Sequence, residues 1–228
     1  MKNPREIYAA YKTMPALQLH QLRVAAVGKL ICDNFSSKGG SASGGKNQVN
    51  ERDVVLACLF HDMGNILKFD LVVFPEFTQP EGAAYWESVK AEYRVKYGDD
   101  EHAATQAIME ELELPESVKG LMKGIGFSQV DRVAASESVE RKIIQYCDLR
   151  VGPRGVLSLQ ERLDEGRKRY LGTNRSIGAS NDGCYKILVD AALKVEMQIF
   201  AETKIRPEDI NDATVAPLIE ELWEYPLA

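Results

Sequence analysis

Three histidines occur in this chain, and one of them, His61, is followed directly by Asp62 at the end of the apolar run Val54-Val55-Leu56-Ala57-Cys58-Leu59-Phe60. An imidazole and a carboxylate at the end of a core helix are costly to bury unless something compensates them. A divalent cation compensates both groups at once. The plainer alternative is a capping histidine beside a solvated aspartate, the commoner origin of a lone His-Asp dipeptide. Two further placements weigh against it. His20 heads a stripe continued by Val24, Val27 and Ile31, at helical spacing. Asp148 falls four residues after Ile144, continuing the apolar face of Val139, Ile143, Ile144 and Cys147. The third histidine, His102, stands in the acidic helix opening Asp99-Asp100-Glu101-His102. Three separate helices thus offer His, His-Asp and Asp. Neutral imidazoles with carboxylates suit Mn, Fe, Co, Ni or Zn better than Ca, with Mg acceptable if water completes its shell. Four protein ligands leave positions on an octahedral ion for water and a substrate oxygen, the requirement for metal-assisted hydrolysis.

The elements that must carry these residues read as helices almost throughout. Ile7–Tyr11 is a short first helix, and Pro15 starts a second that runs to about Phe35. The segment before His61 is apolar all round, which predicts a buried helix with Gly64 as its C-terminal stop. Between these two helices, Ser36 to Asn50 is a Gly/Ser-rich polar loop, expected to be mobile and to supply no ligand. Phe69 to Glu81 reads as an ordered connection bordering the site, and Ala83 to Tyr97 as a helix of mixed face. The helix opening at Asp99 takes its apolar contacts from Ala103, Ile108, Leu112 and Leu114. Pro115-Glu116-Ser117 starts a short helix, and Glu137 to Val151 forms the helix of Asp148, broken by Pro153-Arg154-Gly155. Ser158 and Glu161 form a capping box that opens a charged helix to Tyr170. A loop from Gly172 to Gly183, a long amphipathic helix from Cys184 to Lys204 and a last helix from Ala213 to Glu224 close the order. No alternating strand pattern or internal repeat is present, so the expected class is an all-α bundle.

Its 228 residues suffice for one domain with a sizeable core. A net charge of −6 argues against general attraction to nucleic acid or anionic lipid, while leaving room for a local basic pocket. No apolar run approaches bilayer length, and the N-terminus lacks a signal pattern. Cys32, Cys58, Cys147 and Cys184 are widely spaced without a CxxC pair, which reads as reduced core thiols in a cytoplasmic protein.

The order His20…His61-Asp62…Asp148 resembles the H…HD…D signature of the HD-domain superfamily of metal-dependent phosphohydrolases. His20-Gln21-Leu22-Arg23-Val24-Ala25 looks like that family's first helix, Leu59-Phe60-His61-Asp62-Met63-Gly64 like its HD turn, and Tyr146-Cys147-Asp148-Leu149-Arg150-Val151 like the helix giving the last Asp. The resemblance spans residues 16–151. It implies one HD-type domain over 1–228, with residues 156–228 as a C-terminal helical extension. It also implies metal ligands at His20, His61, Asp62 and Asp148.

Asn65 stands where a Lys often follows the HD turn, with Lys68 as a substitute three residues on. The downstream histidines and GYP motif of the cyclic-di-GMP phosphodiesterase branch are absent, which argues against that activity. The implied activity is hydrolysis of a nucleotide or another small phosphate ester, with a 5'-nucleotidase-like phosphomonoesterase favoured. The alternatives are a dNTP triphosphohydrolase or phosphodiesterase, and, in another class, a non-catalytic metal-containing module that binds a nucleotide or a protein. Asp62 would orient or deprotonate water, and His102 and Arg23 would stabilise charge on the phosphoryl oxygens, the other reading of His102 being a solvated residue near a helix N-terminus. Arg23, Lys68, Arg150 and Arg154 are candidate phosphate contacts; each alone is more often a surface charge or ion-pair partner, and Arg23 and Arg150 gain weight from lying one turn from the candidate ligands. Homo-oligomerisation is left open.

Overall fold

Helix α2 (Pro15–Asp33) begins with Pro at its first position, where the missing N–H costs nothing, and runs for 19 residues. Its stripe of Val24, Val27 and Ile31 is fully buried. Helix α3 (Glu51–Phe60) opens at Asn50, whose side-chain oxygen accepts the Asp53 N–H at 3.1 Å. Every residue from Val54 to Phe60 has no exposed surface, as an all-round apolar helix requires. Helix α8 (Val139–Asp148) is capped by Ser138, and its Ile143, Ile144 and Cys147 are buried. These three helices meet at Gly28 on α2. A Cβ there would lie 3.3 Å from Val54 Cγ1, 3.4 Å from Cys58 Sγ and 3.6 Å from Cys147 Sγ. The glycine therefore lets α2 approach both partners two turns beyond His20.

The computed structural model describes residues 2–36, 49–170 and 182–227. The bulk of the Gly/Ser-rich loop and of the loop after Tyr170 lies outside these residues. Around the three central helices stand α1 (Pro4–Ala10), α4 (Ala83–Tyr97), α5 (Glu101–Glu111), α6 (Glu116–Met122), α7 (Val130–Ala135), α9 (Leu159–Tyr170), α10 (Asp182–Phe200) and α11 (Asp212–Leu222). Short 3-10 turns join several of them, and no strand occurs among the described residues beyond two isolated bridges, Phe35 with Thr203 and Val151 with Val156. The class is all-α. Buried apolar side chains from Ile7 to Leu222 form one continuous cluster, with α11 laid against α2 and α10 against α7 and α8. No described helix is long and apolar enough to cross a membrane.

Some expectations fail locally. Helix α7 has no counterpart in the sequence reading, because six residues hold too little periodicity to register. On α5 it is Ala104, not Ala103, that faces the core. Gly64 is not a left-handed helix stop, since its φ is −87°. Its role is close approach: a Cβ there would run into the Glu101 carbonyl oxygen, and would lie 2.8 Å from Ala104 Cβ and 2.9 Å from Thr105 N. The turn after α3 thereby docks directly onto the first turn of α5.

Candidate metal centre

His61 caps the C-terminal end of α3, and its position is fixed from several sides. Its Nδ1 lies 2.8 Å from the Cys58 carbonyl, so that nitrogen carries the proton and donates. Nε2 then points inward, buried and without a hydrogen-bond partner. The Tyr8 hydroxyl donates to the Leu59 carbonyl at 2.6 Å and ties down the same helix end. The fully buried Gln21, one residue after His20, accepts the Asp62 N–H at 3.2 Å through Oε1. Thr105 Oγ1 accepts the Gly64 N–H at 2.9 Å and itself donates to the Glu101 carbonyl at 2.8 Å. Asn65 donates through Nδ2 to Asp62 Oδ2. Position 65 thus serves as a donor to the adjacent carboxylate.

Into this frame α2 brings His20 and α8 brings Asp148. His20 Nε2 lies 3.6 Å from Asp62 Oδ2 and 3.3 Å from Asp148 Oδ1. His61 Nε2 lies 3.6 Å and 3.5 Å from the same two oxygens. The two imidazole rings are 5.3 Å apart between centroids. His20, His61 and Asp62 offer ligand atoms that all lie within 4.8 Å of one another. Most of these N···O separations exceed a normal hydrogen bond. They lie near the roughly 3.4 Å spacing of tetrahedral ligands about 2.1 Å from one centre and exceed the roughly 3.0 Å of an octahedron. The mutually close set is His20, His61 and Asp62, with Asp148 facing both imidazoles from outside it. The buried, unpartnered Nε2 of His61 supports the same fit.

Without an ion, His61 and Asp148 are perturbed by burial and by the charges facing them. Burial works against a charged His61, but the facing carboxylates of Asp62 and Asp148, with the Cys58 carbonyl, outweigh it and raise the imidazole to about 10. Burial likewise opposes ionisation of Asp148, yet His20 and His61 hold its carboxyl well below the usual range. A metal bound there would therefore compete with a proton for His61. Stripped protein is expected to eject about one proton per ion bound at pH 7.5, read by titration calorimetry in buffers of different ionisation enthalpy. The sign of the stability effect follows from the raised value. The stripped form gains from His61 protonation fully below the unfolded value near 6.5 and loses that gain as pH rises through about 10. Melting temperatures of the stripped form should fall across that window, and those of the loaded form should not.

The remaining candidates divide. Arg23, one turn from His20, is mostly buried and pairs through Nε with Asp212 Oδ1 at 3.8 Å. Lys68 pairs with Glu101 at 3.4 Å, on the helix end that supports the HD turn. Arg150 corrects the sequence reading. The residue is 2% exposed and its guanidinium is spent on structure, donating to the Leu157, Pro207 and Ile210 carbonyls and to the Tyr146 hydroxyl. It binds the end of α8 to the chain preceding α11 and has no fork left for phosphate. Arg154 is likewise a surface partner, 73% exposed, paired with Glu76 at 2.8 Å and lying over Phe74. His102 is 71% exposed on the first turn of α5, and the charged group it meets is Glu101 at 3.9 Å. It stands outside the cluster, so its assignment as a catalytic group is withdrawn. Gln21, Thr105 and Asp212 were missed. A buried Gln beside a candidate ligand histidine was a readable signal, whereas Thr105 and Asp212 become neighbours only through the fold.

No family model, curated protein or solved structure matches this chain.

Proposed function

We propose that this protein is a metal-dependent phosphohydrolase acting on a nucleotide or another small phosphate ester, with phosphomonoesters favoured. One observation carries the reading: two imidazoles and two carboxylates from three helices converge at 3.3–3.6 Å, with a guanidinium one turn away. His20, His61, Asp62 and Asp148 would hold the ion, with Mn, Fe, Co, Ni, Zn and Mg all compatible with the donor set. When bound, such an ion supplies Lewis acidity and a water of lowered pKa. Asp62, fixed through Gln21 at its backbone and Asn65 at its carboxylate, would help hold the ion and would be placed to orient the attacking water and accept its proton. Arg23 stabilises negative charge on the phosphoryl oxygens. Lys68 adds positive charge at the α5 side of the turn.

The test is a panel of nucleoside monophosphates, nucleoside triphosphates and an aryl phosphodiester, run with Mn, Co, Ni and Mg and with metal content measured in parallel. Phosphate release from monophosphates is expected. Release of intact triphosphate would move the assignment to a triphosphohydrolase, and cleavage of the diester to a phosphodiesterase. Stoichiometric metal without any hydrolysis would make the protein a binding module. In the same panel His102→Ala should keep its metal and turn over within about threefold of the parent, as an exposed side chain outside the cluster predicts.

A further inference from the structure

The segment following α10 matches nothing in the H…HD…D pattern, yet it ends beside the candidate centre. Arg150 grips the Pro207 and Ile210 carbonyls at 3.2 and 3.0 Å and so fixes the chain just before α11. Asn211 caps α11 by accepting the Ala213 and Thr214 N–H groups. Asp212, at the first position of the helix, is thereby aimed away from its own helix end. Its Oδ1 accepts the Val156 N–H at 3.0 Å, and the same oxygen stands 3.8 Å from Arg23 Nε. The fit is close: a Cβ on Gly155 would lie 2.5 Å from Asp212 Oδ2.

Arg23 is 17% exposed along its side chain, and its sole ionic partner among the described residues is the Asp212 carboxylate, 3.8 Å from Nε and beyond hydrogen-bond distance. The four N–H donors on Nη1 and Nη2 remain, still reached by solvent, one helical turn from His20. A guanidinium presents a planar fork suited to two oxygens of a phosphoryl group. Its direction is soft unless something holds the opposite edge. We infer that Asp212 is a positioning residue that holds the Nε edge of Arg23, so that the Nη fork is presented to a phosphoryl group bound at the His20–His61–Asp62–Asp148 centre. The inference rests on the phosphohydrolase reading and gives the C-terminal helices a part in the site.

Electrostatics alone makes the opposite forecast. A carboxylate near an anion site repels the anion, so neutralising it would tighten binding. Positioning requires that neutralising it weakens binding, and the sign decides between the two. The probe is inorganic phosphate titrated into metal-loaded full-length protein. Asp212→Asn should raise the phosphate Kd about tenfold with metal content and melting temperature unchanged, and Asp212→Glu should recover most of the loss. Arg23→Gln should weaken phosphate at least as much, and the double variant should be no weaker than Arg23→Gln alone, because the carboxylate acts only through the guanidinium. If hydrolysis is present, Asp212→Asn should raise KM more than it lowers kcat.

Unchanged or tightened phosphate binding in Asp212→Asn, with a parent that binds phosphate, overturns the inference and leaves the phosphohydrolase reading intact. Additive losses in the double variant overturn it as well. A loaded parent that neither binds phosphate nor hydrolyses any ester overturns both together. Phosphate binding weakened by Asp212→Asn in a parent without hydrolysis upholds the positioning role and moves the function to binding.

Discussion

With the centre loaded as proposed, Asp148→Ala is expected to remove most of the metal and, with it, any hydrolysis. Asp148 is the sole ligand candidate on α8, and its Oδ1 stands 3.3 and 3.5 Å from the two imidazole Nε2 atoms. Its side chain is 27% exposed, so truncation opens no sealed cavity and should leave the helix in place. What it removes is half of the negative charge facing two imidazoles. Loss of an outer-shell partner at a metal site costs about 10–100-fold in affinity, and loss of a ligand should cost more than about 100-fold. The measurement is elemental analysis after gel filtration, with melting curves with and without added metal. The parent should gain stability on loading and the variant should not. Asn65→Ala supplies the graded comparison, since it leaves four ligands but frees Asp62 Oδ2 from its donor. Its metal affinity should fall by about 10–100-fold. If Asp148→Ala retains one ion per chain, the centre is built from His20, His61 and Asp62 alone, and Asp148 is a charge partner of the imidazoles.

How much of this was legible beforehand depends on whether a feature is local. The stripe His20, Val24, Val27, Ile31 has one reading, because a helix puts those positions on one face, and all three aliphatic members are fully buried. The capping box at Ser158 was readable for the same reason: its two bonds span three residues, at 2.9 and 3.2 Å. Asp148 was legible as an oddity, a charge on a core face. Arg150 was misread because its sequence neighbours are ligand-like, while its partners Pro207 and Ile210 lie far along the chain. Sequence distance hides such contacts. The same holds for Asp212 beside Arg23. His102 was misread for a different reason: the resemblance placed a pocket-facing histidine on the helix between the His-Asp pair and the last Asp. Its helix does pack under the HD turn, but the imidazole leaves from the solvent side. Gly64 shows the limit most plainly. A glycine after a helix is either a left-handed stop or a point of contact, and only the partner's position tells them apart.

That distinction has a measurable consequence, because the two roles respond differently to substitution. At a position with φ of −87°, alanine carries no backbone penalty, so a Gly64→Ala variant of a mere turn would be tolerated. Here the added methyl meets backbone atoms of α5 and the Ala104 Cβ at 2.8 Å, none of which can rotate away. Relief requires α5 to move off the turn, which also strips the Gly64 N–H of its Thr105 acceptor. Overpacking of a tight contact costs about 1–3 kcal/mol, and a clash against backbone belongs at or above the upper end. The denaturant midpoint of Gly64→Ala should therefore drop by the equivalent of about 3 kcal/mol with an unchanged slope. Metal affinity should fall alongside it, because Asp62 and Asn65 ride on the displaced turn. Gly120→Ala is the matched control. Gly120 lies within α6, and a Cβ there meets nothing within 4 Å, so alanine should stabilise by about 0.4–1 kcal/mol. A Gly64→Ala protein with parental midpoint and metal content would show that the turn and α5 are not in contact in solution, and the support that α5 gives to Asp62 would fall with it.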